Sequence, residues 1–544
     1  MEKNRKSILT VLLFAAAAAL FLNIGTKALW DPDEARYAEM AREVVVLNDW
    51  ITPHLNFLVY FEKPMMYIWM VAAGFKVFGT TEWAARVVSI LCALGGAALT
   101  GLMACRLWGK STGLVASLML LTSLEYLIMA NIVDLNMTLT LFITAAMVFF
   151  WLGQQEKKKI WFYLFWASMA LATLTKGPIG VVLPGGAIFI YILISRQFSL
   201  IRDSRPITGI LLFLLIVAPW FVYVSQLNPD FFSFFFINQN FERFTVSQEH
   251  NKPFHYLFMI IILGSLPWTF LLPLAIKKIW DRGLTREVQY ILCWFLVILI
   301  FFSLSRSKLA TYVLPCFPPL ALLTADVLQE KKEGGGILLF AAGILWVCLG
   351  IVLGFFPILV SNGVLKLSSS NALPLMDVGP WAGIIITTAA IAGIFLGRRY
   401  GSAAGFAVLG IGLTLTVNSF SLYWDDLQST RAVVRGLPEK AMLCTYRRYY
   451  QSSNFYARRQ VILVDARGEL ELGIRRSTGS PIKMTLDTLA KLMETDSNVY
   501  CITAVKYLPF LQANIPDAVT VKQNRGYALV NVPLKQKRFF QLIQ

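Results

Sequence analysis

The sequence predicts a mainly α-helical protein that crosses a membrane many times and carries a small α/β domain near its C-terminal end. Three observations predict it. Of the 544 residues, 57% are hydrophobic and only 15% are charged, and the mean hydropathy is +0.61, so lipid rather than water must solvate much of the exterior. The apolar residues gather into about thirteen runs of spanning length. Residues 424–544 break that pattern, with short β-like runs alternating with a helical stretch.

Taken in order, Met1–Lys6 carries three basic residues and the apolar run beyond it reaches about Ala28, which reads as an uncleaved first helix. Spans are expected near 7–27, 83–106, 111–129, 137–154, 161–175, 179–195, 206–225, 257–276, 287–304, 309–327, 335–357, 380–397 and 402–423. With the N-terminus in the cytoplasm, every second loop holds a basic cluster: Arg106 with Lys110, Lys157–Lys159, Arg196 through Arg205, Lys277 through Arg286, Lys331–Lys332 and Arg398–Arg399. This positive-inside distribution accounts for the net charge of +17 without a nucleic-acid partner. An odd number of spans places the C-terminal domain outside. The expected division is a membrane domain over 1–423, with outer loops at 28–82 and 226–256, followed by an external α/β domain over 424–544. In the latter, Val461–Val464, Val499–Val505 and Tyr527–Val532 read as strands and Leu486–Met493 as helix. The seven cysteines show no metal-ligand spacing. Pairing of Cys444 with Cys501 stays open.

The first outer loop is the richest in chemistry. Asp31 suits an N-cap, Pro32 the first helical position, and Glu34 would complete a capping box. Asp33, Arg36 and Tyr37 share one helical face, and a carboxylate, a guanidinium and a phenol beside a bilayer point to a site, because charge at membrane depth is costly. Further on stands Tyr60-Phe-Glu-Lys-Pro. Pro64 opens a helix behind it, so Lys63 lies at a helix N-terminus where the macrodipole disfavours a cation. It needs an anion, either Glu62 or a ligand phosphate.

Lys176, Arg243, Lys252, Arg306 and Lys308 also map outside, against the positive-inside trend. With Arg36 and Lys63 they suggest a cavity for a multiply charged anion. Asp134 supplies a second carboxylate, or the N-cap of the span that follows. The three histidines are His54, His250 and His255. His250 and Glu62 are candidate ligands for a divalent metal.

Trp30-x-Pro-Asp-Glu-x-Arg-Tyr-Ala-Glu, then Asp49-Trp-Ile-x-Pro-His-Leu and Tyr60-Phe-Glu-Lys-Pro, resemble the aminoarabinose lipid A transferases, within the protein O-mannosyltransferase-like glycosyltransferases of GT-C fold. Leu174-Thr-Lys-Gly-Pro, His250 ahead of Pro253-Phe254, Gly264-Ser-Leu-Pro-Trp and Ser307-Lys-Leu-Ala-Thr-Tyr-Val-Leu-Pro follow in the same order. Leu47-Asn48-Asp49 and Met65-Met66 depart from that pattern. The resemblance implies a polyprenyl (undecaprenyl) phosphate-linked sugar donor and transfer to lipid A or another envelope acceptor at the periplasmic face of a bacterial inner membrane. It implies an essential acid at Asp33 and a second carboxylate at Asp134. It also implies donor-phosphate contacts from Arg36, Tyr60 and Lys63, with Tyr312 as an aromatic neighbour. Tyr37, Lys176, Arg243 and Lys308 are read with the donor-binding set. Glu62 and His250 match positions associated with a divalent metal, zinc being the expected ion. A protein O-glycosyltransferase is the nearest alternative. A lipid or solute transporter is the alternative of another class, although no repeat relates the two halves.

Overall fold

The computed structural model describes residues 2–235, 252–328, 334–362, 369–466, 468–477, 482–496 and 498–532. Among them, eight helices are long and apolar enough to cross a membrane, and ten spans result if each of two bent helix pairs counts as one. The protein is a multi-pass membrane protein of mainly helical build. The bent pairs are Lys110–Thr122 with Leu124–Ala130, at 68°, and Tyr256–Gly264 with Trp268–Arg282, at 102°. The remaining three expected spans are helical but fall short of that test. Glu2–Ala19 spends its first turns on charged residues, Lys159–Lys176 begins and ends on lysine, and Ile179–Ser195 has 17 residues.

Two compact units form. The helical one comprises Met1–Ile24, Glu62–Tyr67 and Arg86–Ser421. At its centre the helices Leu135–Glu156 and Lys159–Lys176 pack side by side. Phe150 meets Phe162 and Phe165 edge-on at 5.8 and 5.3 Å and stacks on Tyr290 at 6.2 Å. Aromatic pairs of this geometry add to the gain from burial alone. Gly153 permits the approach, since a Cβ there would lie 2.9 Å from the Phe162 ring. The tight hairpin brings the start of the first helix, at Asp134–Asn136, level with the end of the second, at Lys176. Gly177, at φ +77°, then reverses the chain in a conformation that side chains rarely adopt.

The other unit comprises Gly25–Phe61, Ile68–Ala85 and Leu422–Gln544. Its six-stranded sheet has the order β5-β4-β3-β6-β8-β7. The strands are β3 (Met442–Tyr446), β4 (Ile462–Val464), β5 (Lys483–Met484), β6 (Val499–Ala504), β7 (Val519–Gln523) and β8 (Tyr527–Asn531), β1 and β2 being the short hairpin His54–Leu55 and Leu58–Val59. β5, β4, β3 and β6 run parallel, and β8 and β7 close the edge antiparallel. The expected strands and the helix Leu486–Thr495 are present, and β3, β5 and β7 extend the sheet beyond them. Cys444 and Cys501 face each other in register on β3 and β6, yet both are free thiols inside a core with Val464, Leu489 and Val530. Burial pushes the Cys444 thiol up to about 12.

This unit is larger than residues 424–544 because the first outer loop joins it. The helix Asp33–Leu47 packs against the helix Gln451–Ala457. Asn56, at the hairpin tip, imitates a strand edge: its amide donates to the Val461 carbonyl at 2.9 Å and accepts from the Val461 N–H at 2.8 Å.

Candidate functional site

In the sheet-containing unit the site is assembled on the first turn of the helix Asp33–Leu47. Residues three apart meet on a helix face, and Arg36 Nη1 lies 3.0 Å from Asp33 Oδ1. Asp33 is 58% exposed and Arg36 17%. Asp49 holds the loop that follows, accepting from the N–H groups of Ile51 and Thr52 at 2.9 and 3.0 Å. The β1–β2 hairpin then returns the chain and delivers the buried Tyr60. Here the C-terminal region enters. Glu469 Oε2 lies 2.9 Å from Arg36 Nη2 and accepts from the Tyr60 hydroxyl at 3.1 Å, while Glu469 Oε1 accepts from Gln451. Burial works against the Arg36 charge, but Tyr60, Glu469, Asp33 and Tyr37 outweigh it and hold its pKa well above the ordinary value. Arg36 Nε is buried and has no hydrogen-bond partner among the described residues, which leaves one donor of the guanidinium unsatisfied. Tyr37 is buried on the same helix.

Asp31 does not cap the helix. The helix begins at Asp33 and its N-cap, Pro32, makes no side-chain cap. Asp31 instead accepts from the N–H and the hydroxyl of Ser452 at 2.7 and 2.6 Å and from the Tyr527 hydroxyl at 3.3 Å. Burial pushes its carboxyl up to about 7, against the pull of those donors. Glu34 still reaches backward, accepting from the Trp30 N–H at 3.1 Å. A carboxylate next to Pro reads locally as a cap. The long-range donors that claim it are invisible at that scale.

In the helical unit, Asp134 caps the helix Leu135–Glu156, accepting from the Asn136 N–H at 2.6 Å. Lys176 Nζ donates to Asn136 Oδ1 at 2.5 Å and sits 4.6 Å from the centre of the Tyr312 ring, an attractive cation–π distance. Asp134, Lys176 and Tyr312 are thus brought together around Asn136, a residue that sequence reasoning passed over. Tyr312 in turn packs on Phe302 at 5.1 Å. Lys308 is buried and donates to the Ser305 carbonyl at 2.6 Å, satisfying a backbone acceptor at the C-terminal end of the helix Arg286–Leu304. Glu62 and Lys63 are half-buried just before the helix Met66–Phe78. Arg243 and His250 lie outside the described residues.

Among the described residues no three of His, Cys, Asp and Glu converge on one point. Of the two candidate ligands only Glu62 falls among the described residues, and a catalytic zinc takes three ligands from protein.

Each unit thus presents a cation able to neutralise an anion: Arg36 beside the exposed carboxylate of Asp33 in the sheet-containing unit, and Lys176 beside Asn136 in the helical one. A family model described as dolichyl-phosphate-mannose-protein mannosyltransferase matches residues 7–235. An undecaprenyl phosphate-α-4-amino-4-deoxy-L-arabinose arabinosyl transferase of Erwinia tasmaniensis is 32% identical over 424 residues, 76% of each chain. Its counterpart from Aeromonas salmonicida is 36% identical over 323 residues, 57% of this chain and 59% of that one. In three dimensions the chain resembles ArnT from Cupriavidus metallidurans bound to undecaprenyl phosphate, with a TM-score of 0.84 and 26% identity over 96% of this chain and 97% of that one.

Proposed function

Because the chain belongs to the undecaprenyl phosphate-α-4-amino-4-deoxy-L-arabinose arabinosyl transferases, we propose that it moves 4-amino-4-deoxy-L-arabinose from undecaprenyl phosphate to lipid A. The reaction takes place at the periplasmic face of the inner membrane, with the N-terminus in the cytoplasm and the C-terminal domain outside. The observation that carries this reading is the likeness, over nearly the whole chain, to a structure holding undecaprenyl phosphate.

In the proposed chemistry the bond from sugar C1 to the carrier phosphate oxygen breaks, and the phosphate keeps the electron pair. An acceptor oxygen attacks C1 from the opposite side and inverts it. Negative charge grows on the leaving phosphate, and cations held in a water-poor site stabilise it at no cost of reorganisation. Arg36, Lys63 and Lys176 are assigned that task, Tyr60 and Tyr37 contribute hydroxyls, and Tyr312 keeps the Lys176 ammonium in place. Asp33 takes the proton if the acceptor is a hydroxyl. A phosphate acceptor is already anionic, and Asp33 then orients it or offsets positive charge developing on the sugar. Asp134 fixes the Asn136 turn that receives Lys176. Glu62 and His250 would hold a divalent ion if one binds.

Mass spectrometry of lipid A and periplasmic glycoproteins tests the reading in cells that depend on this chain. Wild type is expected to add aminoarabinose to lipid A, and Asp33→Ala or Lys63→Ala to abolish it at equal membrane expression. Lipid A unchanged while a glycoprotein loses its sugar would keep the fold and reverse the acceptor.

A further inference from the structure

Glu469 joins the two best-placed polar groups of the first outer loop, and neither the motifs nor the relatives' names account for it. We propose that Glu469 is a positioning residue: its carboxylate holds Arg36 and Tyr60 in register and restrains Arg36 electrostatically until donor phosphate takes its place. The inference rests on the donor assignment given above.

Three observations carry it. One oxygen, Glu469 Oε2, serves both the Arg36 guanidinium at 2.9 Å and the Tyr60 hydroxyl at 3.1 Å, so the two groups are tied through a single atom. The other oxygen is anchored by Gln451, whose helix, Gln451–Ala457, packs against the helix that carries Arg36. The carboxylate is therefore fixed from both sides, and at 17% exposure it is sheltered from the screening that makes surface ion pairs weak. A solvated rim glutamate would not be held in this way.

The charge balance gives the idea a sign. Arg36 faces two carboxylates, Asp33 at 3.0 Å and Glu469 at 2.9 Å, which leaves the cluster net anionic. A phosphate drawn to Arg36 must therefore approach a negative group and displace part of that pairing. Removing the Glu469 charge while keeping its shape, as in Glu469→Gln, makes the cluster neutral and favours phosphate binding. The same change weakens the hold on Arg36 and Tyr60, and misorientation of such groups lowers turnover. Tighter ground-state binding with slower chemistry is a split that a purely structural role does not produce.

The test uses the full-length protein in lipid nanodiscs with undecaprenyl phosphate as the probe. Its affinity is measured by titration, and turnover with the aminoarabinose-charged donor, for wild type, Glu469→Gln, Glu469→Asp and Glu469→Ala, each with and without Tyr60→Phe. Glu469→Gln is expected to bind undecaprenyl phosphate about 3–10-fold more tightly, from the loss of one adjacent like charge, and to turn over about 10-fold or more slowly. Glu469→Asp, which keeps the charge, should bind as wild type does and recover part of the rate. The effects of Glu469→Ala and Tyr60→Phe on turnover should be non-additive, because the two side chains share one contact. If Glu469→Gln binds no more tightly than wild type, or turns over equally fast, the positioning role is wrong although the donor assignment stands. If wild type itself neither binds undecaprenyl phosphate nor uses the donor, both fall together.

Discussion

At the scale of single residues, chemistry and support divide cleanly on the helix Asp33–Leu47. Asp33 and Arg36 are exposed enough to meet a ligand, whereas Asp31, two residues earlier, is committed to three hydrogen bonds within its own unit. Asp31→Ala strands the Ser452 N–H and the Tyr527 hydroxyl, and an unsatisfied buried polar group costs about 1–3 kcal/mol. The expected result is a lower thermal midpoint, with residual transfer in proportion to the folded fraction. Arg36→Ala should do the opposite: a midpoint near wild type and transfer reduced about 10²–10³-fold, the usual loss for one preorganised charge contact. Both follow from thermal unfolding of the detergent-solubilised protein set beside its turnover. The Asp33–Arg36 pair was legible because its partners are three residues apart. The roles of Asp31 and Glu469 were not, since Ser452 lies 421 residues from Asp31 and Glu469 lies 409 from Tyr60. Asn136 escaped for a different reason: an amide beside an aspartate cap gives no signal until Lys176 is folded onto it.

At the scale of elements, the same helix buries a charged stripe one turn beyond the site. Glu39, Arg42 and Glu43 are all buried. Arg42 makes a bidentate pair with Glu39 at 2.7 and 2.6 Å, and Glu43 accepts from the Phe57 N–H at 2.9 Å. One guanidinium cannot balance two buried carboxylates, and burial, with Glu39 beside it, pushes Glu43 well above its ordinary 4.5. The fold therefore prefers Glu43 protonated. Its contribution to stability is complete below the unfolded value near 4.5 and is lost as pH rises through the higher folded value. Glu43→Gln mimics the protonated form, so thermal melts across pH 5–9 should show a flatter profile and a higher midpoint than wild type at the alkaline end. A midpoint that falls at every pH would instead mean that Glu43 is ionised and needed as an anion. In the helical unit the turn after Lys176 deserves a parallel test. Gly177→Val forces a branched side chain into φ +77°, a strain on the order of 1–3 kcal/mol, and should cost activity through displacement of Lys176 more than it costs expression.

At the scale of the whole molecule, hydropathy delivered the class and the order of helices, but not their number as membrane crossings. Among the described residues eight helices meet the spanning test, or ten spans if each bent pair counts as one, where about thirteen runs were expected. A run of apolar residues does not reveal that Ser123 and the Ser265–Pro267 turn break two of them into bent pairs, nor that charged ends shorten others. The sheet was half legible: β4 and β6 carry aliphatic, β-branched residues and β8 lies in a largely apolar run, whereas β5 is two residues long and is fixed by its neighbours. The alternation of basic loops predicts that a phosphatase reporter fused after Gln544 is active, that is, outside the cytoplasm, and that one fused after Arg205 is silent. The reverse pattern would invert the orientation and move the acceptor to the other face. The central claim is tested most directly by transfer with purified components: full-length protein, undecaprenyl phosphate-aminoarabinose and lipid A in nanodiscs. The expected result is lipid A gaining aminoarabinose in equal amount to the undecaprenyl phosphate released, with Arg36→Ala losing both. Donor left intact, or donor consumed with no sugar on lipid A, would contradict it.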